Sequence, residues 1–180
     1  MRRALAVALF LCLALPLAAQ SGTTVYIVRH AEKAAAPVND PPLTDAGTSR
    51  AMALKEALAG AGISAVISTP TIRTRTTAVP LAESRGLNIE TIAVQGTIAA
   101  HAAQVAAAVK SKAGQSVLVV GHSNTINEIA TALGGPRIAA LCDGEYDQIF
   151  VLQLQDNAPP RFARLTFGAP SVERGCVEKK

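Results

Sequence analysis

Three short segments carry the reactive side chains of this sequence: Arg29-His30-Ala31-Glu32-Lys33, Ser68-Thr69-Pro70-Thr71-Ile72-Arg73, and Gly121-His122-Ser123-Asn124-Thr125. Between them they hold His30 and His122, two of the three histidines in the chain, together with Arg29 and Arg73. Guanidinium forks bind phosphate-like oxygens in bidentate geometry. A neutral imidazole set among them can act as a nucleophile. Nearby arginines favour that neutral form, because a second positive charge disfavours imidazolium. If the three segments meet, their chemistry is the capture of a dianion followed by attack on it. Each segment alone has a plainer reading: a surface turn for Arg29-His30, a solvated helix start for Arg73 and Arg75, and a tight turn for Gly121-His122-Ser123. The remaining histidine, His101, lies in an Ala-rich stretch with no charged neighbour in sequence and reads as structural or exposed.

The elements that would position these segments are legible from patterning. Thr24 to Val28 is a β-branched run suited to a buried strand. Thr44-Asp45 opens a helix to about Leu58, with Gly60 and Gly62 as stop signals. Ala65 to Ile67 reads as a second strand, and a helix over Ile72 to Arg85 contains Pro80 as a kink or break. Asn88 to Val94 reads as a third strand and Ile98 to Ala113 as a helix; Val117 to Val120 is a fourth strand, followed by a helix over Asn124 to Leu133. Gln148 to Leu154 and Arg161 to Phe167 flank Asp156-Asn157-Ala158-Pro159-Pro160 as a closing hairpin. Strand then helix, four times over, predicts an α/β fold of three layers, a mostly parallel sheet with helices on both faces and a C-terminal β-hairpin. Ligands of such sheets sit beyond the carboxyl ends of the strands where strand order reverses. That is where all three segments fall, and the helices after the second and fourth strands add dipole ends of the sign an anion needs.

Composition narrows the class. Met1-Arg2-Arg3, the apolar run Ala4 to Leu15 and the small residues before Gln20 have the form of a secretory signal peptide over residues 1–19, leaving one domain over 20–180. The apolar run is too short for a membrane span, which takes about 20 residues. Leu11 before Cys12 argues against a lipid anchor. The product is expected to be exported, periplasmic or secreted, with no stable span after leader removal. Two of the charges behind the net +4 are Arg2 and Arg3, and with no Trp and few aromatics there is no basic, aromatic-interleaved face for nucleic acid. Cys142 and Cys176 remain beyond the leader, an even number that can form a disulfide in an oxidising compartment. No cluster has metal-ligand spacing, and no cofactor is expected.

Val28-Arg29-His30-Ala31-Glu32-Lys33 resembles the Arg-His-Gly/Ala-Glu signature of the histidine phosphatase superfamily, which includes the phosphoglycerate mutases. Ser68-Thr69-Pro70 with Arg73-Thr74-Arg75-Thr76-Thr77-Ala78, the segment Pro42-Leu43-Thr44-Asp45-Ala46-Gly47, and Gly121-His122-Ser123-Asn124 resemble three further motifs of that family, in its order. The resemblance implies a metal-independent phosphoric monoester hydrolase that takes the phosphoryl group onto His30, with Arg29, Arg73 and His122 holding its oxygens and Ser123 or Asn124 adding a donor. It implies a phosphorylated small molecule or phosphoprotein as substrate, and gives Glu32 a structural or rim role. One departure stands out. Where the family usually places a carboxylate after the third strand, this chain reads Val94-Gln95-Gly96-Thr97-Ile98, so Glu145, Asp147 and Glu90 are the candidate general acids. The chain is also too short for the mutases' insertions. Two rivals differ in class: a non-catalytic module holding phosphate or a phosphoprotein, and a serine hydrolase, whose Gly-x-Ser-x-Gly elbow is spoiled by Thr125. Specificity is expected in the loops Ala34 to Pro42, Gln95 to Ala99 and Pro136 to Asp147.

Overall fold

A computed structural model describes residues 22–171; the expected leader and Cys176 fall outside the described residues. The elements are β1 (Thr24–Arg29), α1 (Asp45–Ala57), β2 (Ile63–Ser68), α2 (Ile72–Ser84), β3 (Ile89–Thr91), α3 (Ile98–Lys110), β4 (Ser116–Gly121), α4 (Ile126–Ala132), β5 (Gln148–Gln155) and β6 (Ala158–Thr166). One six-stranded sheet has the order β3-β2-β4-β1-β5-β6. β3, β2, β4 and β1 run parallel, whereas β5 is antiparallel to β1 and β6 to β5. The expected three-layer α/β architecture with its closing hairpin is present.

The sheet is covered on both faces because its strands are apolar on both. Val25 and Ile27 of β1 with Val117 and Val119 of β4 pack against Val105 and Val109 of α3 and Ile129 of α4. One residue out of phase, Val28, Leu118 and Val120 pack against Leu54 of α1 and Leu81 of α2. Alternation of side chains along each strand converts one continuous apolar run into two cores. Each fully buried Val, Leu or Ile contributes on the order of 1.5–3 kcal/mol.

Three elements depart from the patterning. β3 is only Ile89–Thr91, a short edge strand with β2 as its one neighbour; its last bond to β2, from the Ile92 N–H to the Ser68 carbonyl at 2.9 Å, falls where β2 ends, so the expected extension to Val94 has no partner strand. α2 runs unbroken through Pro80, whose missing N–H leaves one intrahelical hydrogen bond unmade. β6 begins at Ala158, so Pro159 and Pro160 lie in the strand rather than the turn. They are tolerated because β6 is a sheet edge. The turn shrinks to Asp156-Asn157, with Asn157 at φ 62°, a conformation asparagine accepts more readily than most residues. Among the described residues no helix is long and apolar enough to cross a membrane.

Candidate active site

Strand order brings the three reactive segments together. β1 and β4 are neighbours in register, Arg29 opposite Gly121, and the His30 N–H donates to the Gly121 carbonyl at 2.9 Å. β2 lies on the other side of β4, with Ser68 opposite Val120. The chain therefore leaves three adjacent parallel strands at His30, Thr69 and His122. The His30 and His122 rings meet edge to face, centroids 5.4 Å apart.

His30 is buried, 3% exposed, at the floor of this cluster. Its Nδ1 lies 2.8 Å from the Ala31 carbonyl, which can only accept, so Nδ1 carries the hydrogen and Nε2 keeps a free lone pair. Burial, the main cause, pushes the imidazole down to about 3; the Ala31 carbonyl opposes this, and Arg29, His122 and Arg73 add to it. The ring is neutral at physiological pH. The loop that carries it is pinned by the Ala31 N–H donating to Thr77 Oγ1 at 2.9 Å, while that hydroxyl donates to the Arg73 carbonyl at 2.7 Å.

Arg29 is equally buried. Its Nη1 donates to the carbonyls of Cys142, Asp143 and Glu145 at 2.7, 2.9 and 3.1 Å, and its guanidinium stacks 4.2 Å above the Tyr146 ring. Burial draws its pKa down, although an arginine so placed keeps its proton. Arg73, at the second position of α2, reaches His122 Nδ1 at 3.5 Å and Asp40 Oδ1 at 3.5 Å. The Nε atoms of Arg29 and Arg73 are buried with no hydrogen-bond partner among the described residues. His122 Nε2 is 3.0 Å from Thr69 Oγ1, itself bonded to Thr74 Oγ1 at 2.8 Å. Burial first, then Arg73, His101 and Arg29, push His122 down to about 4, with Asp40 opposing. Two neutral imidazoles and two guanidiniums with unmet donors form a site of strong positive potential.

The other residues singled out in the sequence are placed as follows. Glu32 clasps Arg50 in a bidentate pair at 2.7–3.0 Å, and Arg50 also ties the Phe167 and Ala169 carbonyls, so this carboxylate is structural. Ser123 sits half-buried in the turn between β4 and α4. That turn delays α4 to Ile126, two residues later than expected, and leaves a helix of one and a half to two turns. Arg75 is exposed. None of the three candidate acids faces the cluster as a free carboxyl. Glu145 Oε2 accepts from the Cys142 N–H at 2.8 Å, Asp147 accepts from the Ser171 N–H and Gln148 Nε2, and Glu90 pairs with Lys112 at 2.8 Å. Tyr146, between two of them, turns inward instead, its ring centroid 6.2 Å from that of His30. Cys142 is disulfide-bonded; the Cys142–Cys176 pairing itself involves a residue outside the described range. His101 is buried, 1% exposed, with Nδ1 3.3 Å from the Ala93 carbonyl. Among the described residues no group of three or more His, Cys, Asp or Glu side chains could hold a metal.

Sequence reasoning passed over Asp40, Thr69, Thr77 and Tyr146. Asp40 had one signal, being the sole charged residue between Lys33 and Thr44. The hydroxyls of Thr69 and Thr77 acquire their roles only from strand order.

Residues 25–93 match a family model described as Histidine phosphatase superfamily (branch 1). No curated protein sequence matches. The protein histidine phosphatase SixA, solved with tungstate, is 21% identical and superposes with TM-score 0.63 over 79% of this chain and 96% of its own. A protein of Agrobacterium tumefaciens assigned as a phosphohistidine phosphatase SixA is 28% identical, TM-score 0.60, over 83% and 99%. A mycobacterial glucosyl-3-phosphoglycerate phosphatase solved with inorganic phosphate is 16% identical, TM-score 0.61, over 82% and 97%. Over the matched segment and the sheet, the chain is similar to the histidine phosphatase superfamily.

Proposed function

We propose that this protein is a metal-independent phosphatase that hydrolyses a phosphomonoester or phosphoramidate through a phosphohistidine at His30. One observation carries the reading: a buried imidazole with Nδ1–H fixed on a carbonyl and Nε2 free, beside two arginines whose buried Nε donors lack partners. A phosphoryl dianion supplies the acceptors those donors lack. Nε2 attacks phosphorus, and Arg29 meets the equatorial oxygens through the nitrogens its three carbonyl partners leave open. An oxygen entering between Arg73 and His122 replaces their long 3.5 Å contact. Thr69 can then turn its hydroxyl hydrogen onto His122 Nε2, leaving Nδ1–H to donate to the substrate. Such catalysis is electrostatic and positional, and it is strengthened by the low dielectric of a buried site. Water hydrolyses the phosphohistidine in a second step.

The 28%-identical SixA protein from Agrobacterium supports phosphohistidine or another phosphorylated group as substrate class, and the leader-like residues 1–19 support export to the periplasm or outside. The test is turnover of p-nitrophenyl phosphate by the wild type and by His30→Ala, with and without EDTA. Turnover lost in His30→Ala and indifferent to EDTA is expected. Phosphate binding with no turnover would favour the non-catalytic module instead.

A further inference from the structure

In-line displacement from His30 sends the leaving group away from the floor of the site, toward its rim. The rim carries a carboxylate that belongs to none of the expected positions. The loop 34–42 is closed at its neck by the Lys33–Leu43 bridge and by the Ala34 N–H donating to the Pro42 carbonyl at 2.9 Å. From it Asp40 reaches across to the start of α2, accepting from the Ile72 N–H at 3.0 and 3.2 Å and from Arg73 Nη1 at 3.5 Å. Thr71, the N-cap residue of α2, makes no capping bond of its own, so the cap is supplied by Asp40 from outside the helix. Pro41 and Pro42 follow and bias the chain at Asp40 toward an extended path. Asp40 is 41% exposed, whereas the arginine it meets is 18% exposed, which places it between solvent and the phosphate-holding residues.

The other acids near the site are engaged or remote: Glu32 with Arg50, Glu145 with the Cys142 N–H, Asp147 with Ser171 and Gln148, Glu90 with Lys112. Asp143 is fully exposed and stands 4.0 Å from Arg29. Among the acids of the described residues, Asp40 is the one in contact with the arginine expected to carry the phosphoryl group.

Resting on the phosphatase reading, we propose that Asp40 is the proton donor to the leaving oxygen, and that the site therefore accepts alkyl phosphomonoesters as well as substrates with good leaving groups. A phosphoryl oxygen competes with Asp40 for the Arg73 guanidinium. As the His30 Nε2–P bond forms and the P–O bond to the leaving group breaks, the Asp40 proton passes to that oxygen and an alcohol departs. Water then attacks the phosphohistidine. Asp40 takes a proton from that water, the N–P bond breaks, and inorganic phosphate leaves with His30 neutral and Asp40 again an acid.

The experiment compares substituted phenyl phosphates and glycerol phosphate as substrates of the wild type, Asp40→Asn, Asp40→Glu and Asp143→Asn. A general acid contributes about 10²- to 10⁴-fold. Asp40→Asn should lose about that factor on glycerol phosphate and less than about tenfold on p-nitrophenyl phosphate, whose leaving group departs without a proton. Asp40→Glu should recover part of the alkyl rate. An equal loss across the series would show that Asp40 only positions Arg73 and would overturn the proposal. So would a steep leaving-group dependence already present in the wild type, or a steepening in Asp143→Asn instead. Failure of the phosphatase reading looks different, since no substrate would then be turned over by any form.

Discussion

At the scale of single residues, chemistry follows from how few partners each side chain has. His30 uses one nitrogen on the Ala31 carbonyl and keeps the other free. Arg73 is held by two contacts of 3.5 Å, loose enough for a phosphoryl oxygen to replace them. Arg73→Lys keeps the charge but loses the planar fork, so it should lower kcat/KM by about 10²-fold. Arg75 points to solvent, about 200° around the helix. Arg75→Ala should stay within about twofold of wild type, a surface substitution away from the site. Steady-state kinetics on p-nitrophenyl phosphate checks both. Equal damage at the two positions would contradict the assignment of Arg73. The residues that define the anion pocket were visible in the sequence because Arg29, His30 and His122 stand at the ends of recognisable strands and Arg73 opens the helix after another. The acid was not, because Asp40 belongs to a loop whose direction no periodicity encodes, and its role appears only once that loop is seen to fold onto α2.

At the scale of elements, the loop after β1 is fixed from three sides: by Thr77 of α2, by β4, and by α1. The α1 contact depends on a glycine. The Glu32 carbonyl accepts from the Thr44 N–H at 3.0 Å and lies so close to Gly47 that any Cβ there would overlap it. Gly47→Ala must therefore shift the backbone two residues from His30, costing about 1–3 kcal/mol and much of the activity. Gly60, around which a Cβ would meet nothing, is the control: Gly60→Ala should change stability by less than about 0.5 kcal/mol. Urea denaturation and turnover together decide it, and an active, fully stable Gly47→Ala protein would contradict the packing account. Patterning found the strands and helices of the described residues, the buried ones because each is apolar at the period of its own geometry. It misjudged β3 and β6, which lie at the two edges of the sheet, where pairing on one side only sets their length. It could not see that Thr69 and Thr77 bond across elements, since those contacts join residues far apart in the chain.

At the scale of the whole molecule, the fold keeps its histidines neutral by burying them. His30 and His122 titrate at about 3 and about 4, and burial lowers His101 as well. In the unfolded chain they take up protons near 6.5. Above that pH neither state is protonated and stability is insensitive to these groups. As pH falls from 6.5 toward 4 the unfolded state binds protons that the folded state refuses, so stability drops by up to about 1.4 kcal/mol per pH unit for each histidine. Urea midpoints measured between pH 7.5 and 4.5 should show that decline, and His122→Asn should make it shallower; an unchanged slope would contradict it. Because His30 is already neutral throughout this range, its nucleophile stands ready at physiological pH. On the phosphatase reading, the phosphoryl group rests on that nitrogen between the two steps of turnover. The direct measurement is rapid quenching of the wild type with radiolabelled substrate, followed by peptide mapping of the label. Acid-labile, base-stable phosphate should appear on the peptide containing His30, formed and lost at rates compatible with turnover and absent from His30→Ala. Turnover with no label on His30, or label of undiminished amount in His30→Ala, would contradict it.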